Sequence, residues 1–121
     1  MHERILVVEG EKELRQLYQT ELEREDYSVV TVAGGNEAMK KLRNEPVDLI
    51  VLALRLPDGF GLDFLQNFVV AKDDLRIVIN TNCPTYKMDF RSWAADAFLL
   101  KSSDLGELRS TIDALLHSEK N

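Results

Sequence analysis

Few side chains in this sequence are of a kind that does chemistry, and those few sit at the ends of apolar runs. Glu9 follows Ile5-Leu6-Val7-Val8, Thr81 follows Ile77-Val78-Ile79-Asn80, and Lys101 follows Phe98-Leu99-Leu100. A carboxylate, a hydroxyl and an ammonium in this arrangement contain no recognisable nucleophile–base pair, and no glycine-rich phosphate loop accompanies them. Cys83 is the single cysteine, so an intrachain disulfide and a cysteine metal cluster are both excluded. His2 and His117 lie at opposite ends of the sequence and suggest no metal site. Lys101 either serves an anion such as phosphate or pairs with Glu9 across the strand ends; pairing is the expectation, because an unpaired lysine in a cleft is costly. Thr81 is expected to cap local backbone with its hydroxyl.

The elements that position these residues alternate short β-branched runs with amphipathic stretches. Arg4 to Val8, Tyr27 to Val32, Asp48 to Ala53, Arg76 to Asn80 and Ala97 to Leu100 read as five strands. The third is apolar almost without interruption, as a parallel strand buried on both faces must be. Between them, Leu14, Leu17, Tyr18 and Leu22 share one helical face, and Ala38, Met39 and Leu42 share another. A third helix is predicted from about Leu62, a fourth after Pro84, and a fifth from near Asp104, where Asp104 and Glu107 make a capping pattern. Gly34-Gly35 and Pro57-Asp58-Gly59 are turn signals, with Asp58 a turn residue. Five β-then-α units predict one α/β domain over residues 1–121, core about 4–116, with helices on both faces of a parallel sheet. Ser118 to Asn121 are expected to fray.

Composition narrows the function classes. With 45% hydrophobic and 30% charged residues the chain is globular rather than disordered. A net charge of -6 argues against a nucleic-acid module, which is usually basic. The apolar stretch around Leu49 to Leu54 is far too short to span a bilayer, and Met1-His2-Glu3-Arg4 lacks the apolar region of a signal peptide. A reduced, cytoplasmic protein is the expectation.

The order and spacing of several motifs resemble those of response-regulator receiver domains. They are Ile-Leu-Val-Val followed by acids, Asp48-Leu-Ile-Val-Leu-Ala-Leu-Arg-Leu-Pro-Asp-Gly59, Thr81 after the fourth strand, and Ala95-Asp-Ala-Phe-Leu-Leu-Lys101. The resemblance implies a flavodoxin-like, doubly wound, five-stranded parallel sheet of order 2-1-3-4-5, with its site at the carboxyl ends of the strands. It also implies phosphoryl transfer to an aspartate at the end of strand three. That chemistry needs a carboxylate nucleophile, Mg²⁺ held by acidic oxygens, and a hydroxyl and a lysine for the phosphoryl oxygens.

Against that pattern the chain keeps only part of the set. The acidic pair after strand one reads Glu9-Gly10, so one carboxylate is missing. Ala53 stands at the phosphoacceptor position and has no nucleophile. Thr81 and Lys101 match the hydroxyl and the lysine, with Ser102 where the family usually has proline. Phe60 stands before Gly61 where an acid or amide is common; it either covers the vacated pocket or is an ordinary loop aromatic. Phe98 matches the switch aromatic and is expected to be fixed in packing. Mg²⁺ binding is therefore expected to be lost or weak; only nearby Glu11 or Asp58 could substitute.

Tyr86, Phe90 and Trp93 fall at i, i+4 and i+7 in the predicted fourth helix, which makes them a core-facing stripe with Met88 off it. The stretch between Thr81 and Lys101 is shorter than is usual in the family, which would reshape the face of helix four, strand five and helix five. Receivers use that face for dimers and partners, and aromatics and Met are enriched at interfaces, so Tyr86, Met88 and Trp93 are the candidate partner face. The reading is a non-enzymatic pseudo-receiver of two-component signalling that binds a signalling protein or a second copy, with no nucleic acid and no membrane contacted by this domain. The alternatives are an ordinary phospho-accepting receiver whose position 53 has been changed to Ala, and a small-ligand binder at the strand-end crevice.

Overall fold

The β-branched runs form strands where their alternating side chains can be buried on two faces at once. In the computed structural model of the chain, which describes residues 2–117, these are β1 (Arg4–Val8), β2 (Ser28–Val32), β3 (Leu49–Leu52), β6 (Arg76–Thr81) and β7 (Ala97–Leu100). They pair in parallel in the order β2-β1-β3-β6-β7, the order expected from the sequence. Ser118 to Asn121, expected to fray, lie outside the described residues.

Period-two alternation splits the core. Leu6, Val8, Ile50, Leu52, Ile77 and Ile79 face α2 (Gly35–Asn44) and α3 (Gly61–Ala71). Ile5, Val7, Leu49, Val51 and Val78 face α1 (Lys12–Arg24) and α4 (Gly106–His117). On α1, Tyr18 and Leu22 are buried, but Leu17 turns outward, so the predicted four-residue face is narrower than expected. α4 opens after an Asp104 Oδ1 bond from the Gly106 N–H at 2.9 Å. The Asp104 N–H donates to Ser102 Oγ at 3.0 Å, so the expected reciprocal pattern with Glu107 does not form. The Tyr27 hydroxyl donates to Asp113, tying the start of β2 to α4.

Two regions differ from the sequence expectation. Behind β3 the chain makes a small antiparallel hairpin, β4 (Arg55–Leu56) with β5 (Gly59–Phe60), where only a turn was expected. Pro57 and Asp58 form its tip, and Gly59 takes a φ of 154°, a conformation that side chains rarely adopt. The predicted fourth α-helix is absent. Its place is taken by two 3₁₀ segments, Pro84–Met88 and Phe90–Ala94, separated by an extended Asp89 at φ -72°, ψ 126°.

That difference overturns the core-facing stripe. An α-helix aligns i, i+4 and i+7, whereas a 3₁₀ turn aligns i and i+3. Phe90 and Trp93 therefore project together into solvent at 73% and 72% exposure, beside Met88 at 80%. Tyr86 alone turns inward, its ring 4.9 Å from that of Phe60 in an edge-to-face contact.

Candidate functional site

The carboxyl ends of β1, β3 and β6 open on a crevice of about 380 Å³ lined by Glu9, Gly10, Glu11, Arg55, Thr81 and Lys101 among others. Glu9 leaves β1 with its N–H donating to the Val32 carbonyl at 3.1 Å, which fixes its backbone. Each of its carboxylate oxygens has a partner. Oε1 meets Lys101 Nζ at 2.9 Å, and Oε2 accepts the Glu11 N–H at 3.1 Å. Lys101 is held by its own N–H, which donates to the Thr81 carbonyl at 2.8 Å. The expected ion pair is thus formed, between side chains only 4% and 14% exposed. Thr81 is buried and its Oγ1 accepts the Cys83 N–H at 3.1 Å, the local cap expected of it.

Arg15 completes this arrangement from α1. Its Nη1 donates to the carbonyls of Glu9 at 2.8 Å and Gly10 at 3.1 Å. Nothing in local spacing announces that role, because Arg15 lies on a helix whose pattern reads only as amphipathic. Deeper in, burial pushes the Tyr18 phenol above the ordinary tyrosine range, against a smaller opposing effect of its hydrogen bond with Asn80.

Ala53 is buried directly beyond β3, its N–H donating to the Val8 carbonyl at 2.9 Å. It brings no polar side-chain atom to the crevice. Its carbonyl is packed so closely by Gly61 that a Cβ there would lie 2.3 Å from the oxygen, so only glycine fits. At Gly10 a Cβ would meet Pro57 Cδ at 3.3 Å, so a side chain at that position requires Pro57 to give by a few tenths of an ångström.

The other carboxylates near the hairpin are committed elsewhere. Asp58 reaches across to the start of α2, where Oδ1 and Oδ2 accept the N–H groups of Gly35 and Asn36, each at 2.9 Å. Those two backbone donors, Asn36 first, hold its carboxyl below the ordinary range. Asp58 is thus a helix cap as well as a turn residue, a pairing over more than twenty positions that no local motif reveals. Magnesium wants six oxygen ligands in near-octahedral geometry. Ala53 and Gly10 bring no carboxylate, Glu9 is paired with Lys101 and Asp58 with α2, which leaves Glu11 as the other carboxylate lining the crevice, a poor set for that ion. Among the described residues, no three of His, Cys, Asp or Glu cluster in a way that could hold a metal.

Phe60 is not among the residues lining the crevice; it packs against Tyr86, with the Arg91 guanidinium 5.9 Å from its ring centre. Arg91 is the clamp of the 3₁₀ region. Its side chain bonds both oxygens of Asp89, at 3.1 and 2.7 Å, and Asp63 on α3 at 2.9 Å. The Arg91 bonds hold the Asp89 carboxyl below its ordinary range. Phe98 is partly buried against the α2–α3 side of the core, in register with Ile79.

Comparison with known proteins supplies the context. A family model described as response regulator receiver domain matches residues 5–113. Response regulator ArlR of Staphylococcus aureus is 32% identical over 116 residues, which is 95% of this chain and 53% of the relative. The chain therefore spans about half the length of the curated relatives it matches. Response regulator TrrA of Thermotoga maritima, solved in complex with Mg²⁺-BeF, superposes with a TM-score of 0.90 at 35% identity, covering 93% of this chain and 98% of that one. TrrA in complex with histidine kinase ThkA gives 0.88 at 36% identity, covering 94% and 98%. The non-phosphorylated HemR receiver domain of Leptospira biflexa gives 0.87 at 29% identity, with 98% of each chain covered.

Proposed function

This chain belongs to the response regulator receiver domain family, and from that premise we propose that it works as a pseudo-receiver, a protein-binding module of two-component signalling that acts without accepting a phosphoryl group. The observation that carries the proposal is the state of Glu9: the one carboxylate retained at the strand ends is neutralised by Lys101 at 2.9 Å, beside an Ala53 that offers no nucleophile. With the charge of Glu9 balanced by Lys101 and no carboxylate at positions 10 and 53, little negative charge is left to attract a divalent cation. On this reading the domain is not an enzyme, needs no resident Mg²⁺, contacts neither nucleic acid nor membrane, and works in the cytoplasm.

Partner binding is assigned to the 3₁₀ segments with β7 and α4, through Met88, Phe90 and Trp93, with Tyr86 partly buried against Phe60. Exposed aromatic and Met side chains gathered in one place are characteristic of interface cores. A kinase of the histidine kinase type is the first candidate partner, since TrrA forms such a complex; a second copy of this chain is the other.

The test is intact-mass analysis after incubation with a small-molecule phosphodonor and Mg²⁺, on the parent and on Ala53→Asp. Neither is expected to gain a phosphoryl group, because Gly10 and the Glu9–Lys101 pair leave the metal unsupported. A gain on the parent would overturn the proposal. A gain on Ala53→Asp alone would favour the second reading, an otherwise competent receiver blocked at position 53, for which retained Thr81 and Lys101 speak.

A further inference from the structure

α2 and α3 lie side by side on one face of the sheet, and they touch closely at their beginnings. A Cβ on Gly35 would fall 2.4 Å from the Phe64 ring, so the α2 backbone rests on that ring. From this contact a groove of about 930 Å³ runs along the two helices toward Arg43 and Ala71. We infer that this groove docks an acidic amphipathic helix of a partner protein, at a site separate from the aromatic face and independent of the chemistry at position 53.

Spacing is the first argument. Asn36, Lys40 and Arg43 stand at i, i+4 and i+7 on α2, and Phe64, Asn67 and Ala71 at i, i+3 and i+7 on α3. Each set is one stripe of its helix, and two neighbouring stripes make the ridges between which a third helix packs. The floor is apolar: Met39 and Phe64 are half-buried, and Val70 stands 81% exposed at its edge. With α2 ten residues long, the groove accommodates about three helical turns.

Charge is the second argument. The chain has a net charge of -6, yet the only charged residues lining the groove are cations, Lys40 and Arg43. Neither takes part in an ion pair among the described residues, although the adjacent Lys41 is paired with Glu45 at 3.0 Å. Like charges at i and i+3 on a helix repel. The helix dipole favours cations in the last turn, which accounts for Arg43 but not for an apolar floor beside it. A helix with leucine-like residues toward Met39, Phe64 and Val70 and carboxylates toward Lys40 and Arg43 would satisfy both features.

Two designed peptides about three turns long, with the same leucine stripe, provide the probes: one carries Glu on its flanks, the other Lys. Each is titrated into the ¹⁵N-labelled protein while amide shifts are followed. The Glu probe should shift the amides of α2 and α3, and Lys40→Glu with Arg43→Glu should weaken it by about tenfold or more. Both substitutions are on exposed positions, so the amide spectrum itself verifies that the fold is kept. Any of these results with the peptides would overturn the inference: no binding of the Glu probe, equal binding of the Lys probe, shifts centred on residues 84–100, or unchanged affinity in the double variant. Concentration-dependent shifts of the same helices without peptide would make the occupant a second copy and equally remove the acidic helix.

Discussion

Replacing Lys101 with Met takes away a buried cation and leaves its partner in place. The Glu9 side chain is 4% exposed and its Oε1 has Lys101 Nζ at 2.9 Å, so solvent does little to stabilise the charge left behind. Removing one member of a buried ion pair costs about 3–5 kcal/mol. Two features of this site favour the lower end: Oε2 keeps the Glu11 N–H at 3.1 Å, and a crevice of about 380 Å³ alongside has room for water. The expected loss is thus about 3 kcal/mol, which in a domain of this size lowers Tm by about 12 °C. Glu9→Gln should cost less, about 1–2 kcal/mol, because the flexible Lys101 stem can carry its ammonium into the crevice. Thermal and urea unfolding followed by circular dichroism, on the parent, both single variants and the double variant, closes a cycle. The coupling should be about 1–3 kcal/mol, with the double variant more stable than the sum of the singles implies. If Lys101→Met stays within about 1 kcal/mol of the parent, or the singles simply add, the ion pair is not what organises the strand ends.

Three further outcomes follow from the geometry. Asp58→Ala should cost about 1 kcal/mol through loss of the α2 cap. Because the Asp58 carboxyl is held below its unfolded value, about 3.9, its contribution is full above that pH and lost as pH falls through the folded value; Asp58→Asn should flatten this acid slope in urea unfolding. The Tyr27 phenol is pushed up by burial first and the Asp113 hydrogen bond second, so its contribution is full below about pH 10 and lost as pH rises through the folded value. Tyr27→Phe should cost about 1–2 kcal/mol at neutral pH and remove that alkaline limb; an unchanged alkaline limb would refute the assignment. Trp93 is the sole tryptophan and is largely exposed, so acrylamide should quench it almost as well in the folded as in the urea-unfolded protein, and Trp93→Ala should change stability by less than about 0.5 kcal/mol. A protected indole in the free protein would show that the face is already covered.

The strands were legible because burial on both faces leaves a strong signature, as in Leu49-Ile50-Val51-Leu52; their order followed from the resemblance to receiver domains, not from the pattern of burial. Glu9 with Lys101 was legible because both follow strands whose carboxyl ends open on one side of a parallel sheet, where two buried opposite charges gain most by pairing. The 3₁₀ region was misread for a physical reason. Tyr86, Phe90 and Trp93 carry helical spacing, but Asp89 breaks the helix between them by binding the Arg91 N–H at 2.9 Å. A periodicity argument assumes continuous geometry and cannot see such a break. Asp58 and Arg15 were missed because their partners are backbone groups of other elements, which carry no identity in sequence.

The Arg91 clamp bears on how the aromatic face would meet a partner. Immobilising Met88, Phe90 and Trp93 on binding costs about 0.5–1.5 kcal/mol for each side chain, and a loose backbone beneath them would add its own ordering entropy. Arg91 reduces that second cost in advance by linking Asp89, the junction of the two 3₁₀ segments, to Asp63 on α3. Arg91 need not touch a partner to govern affinity: by pre-organising the surface it sets how much of the contact energy survives as binding.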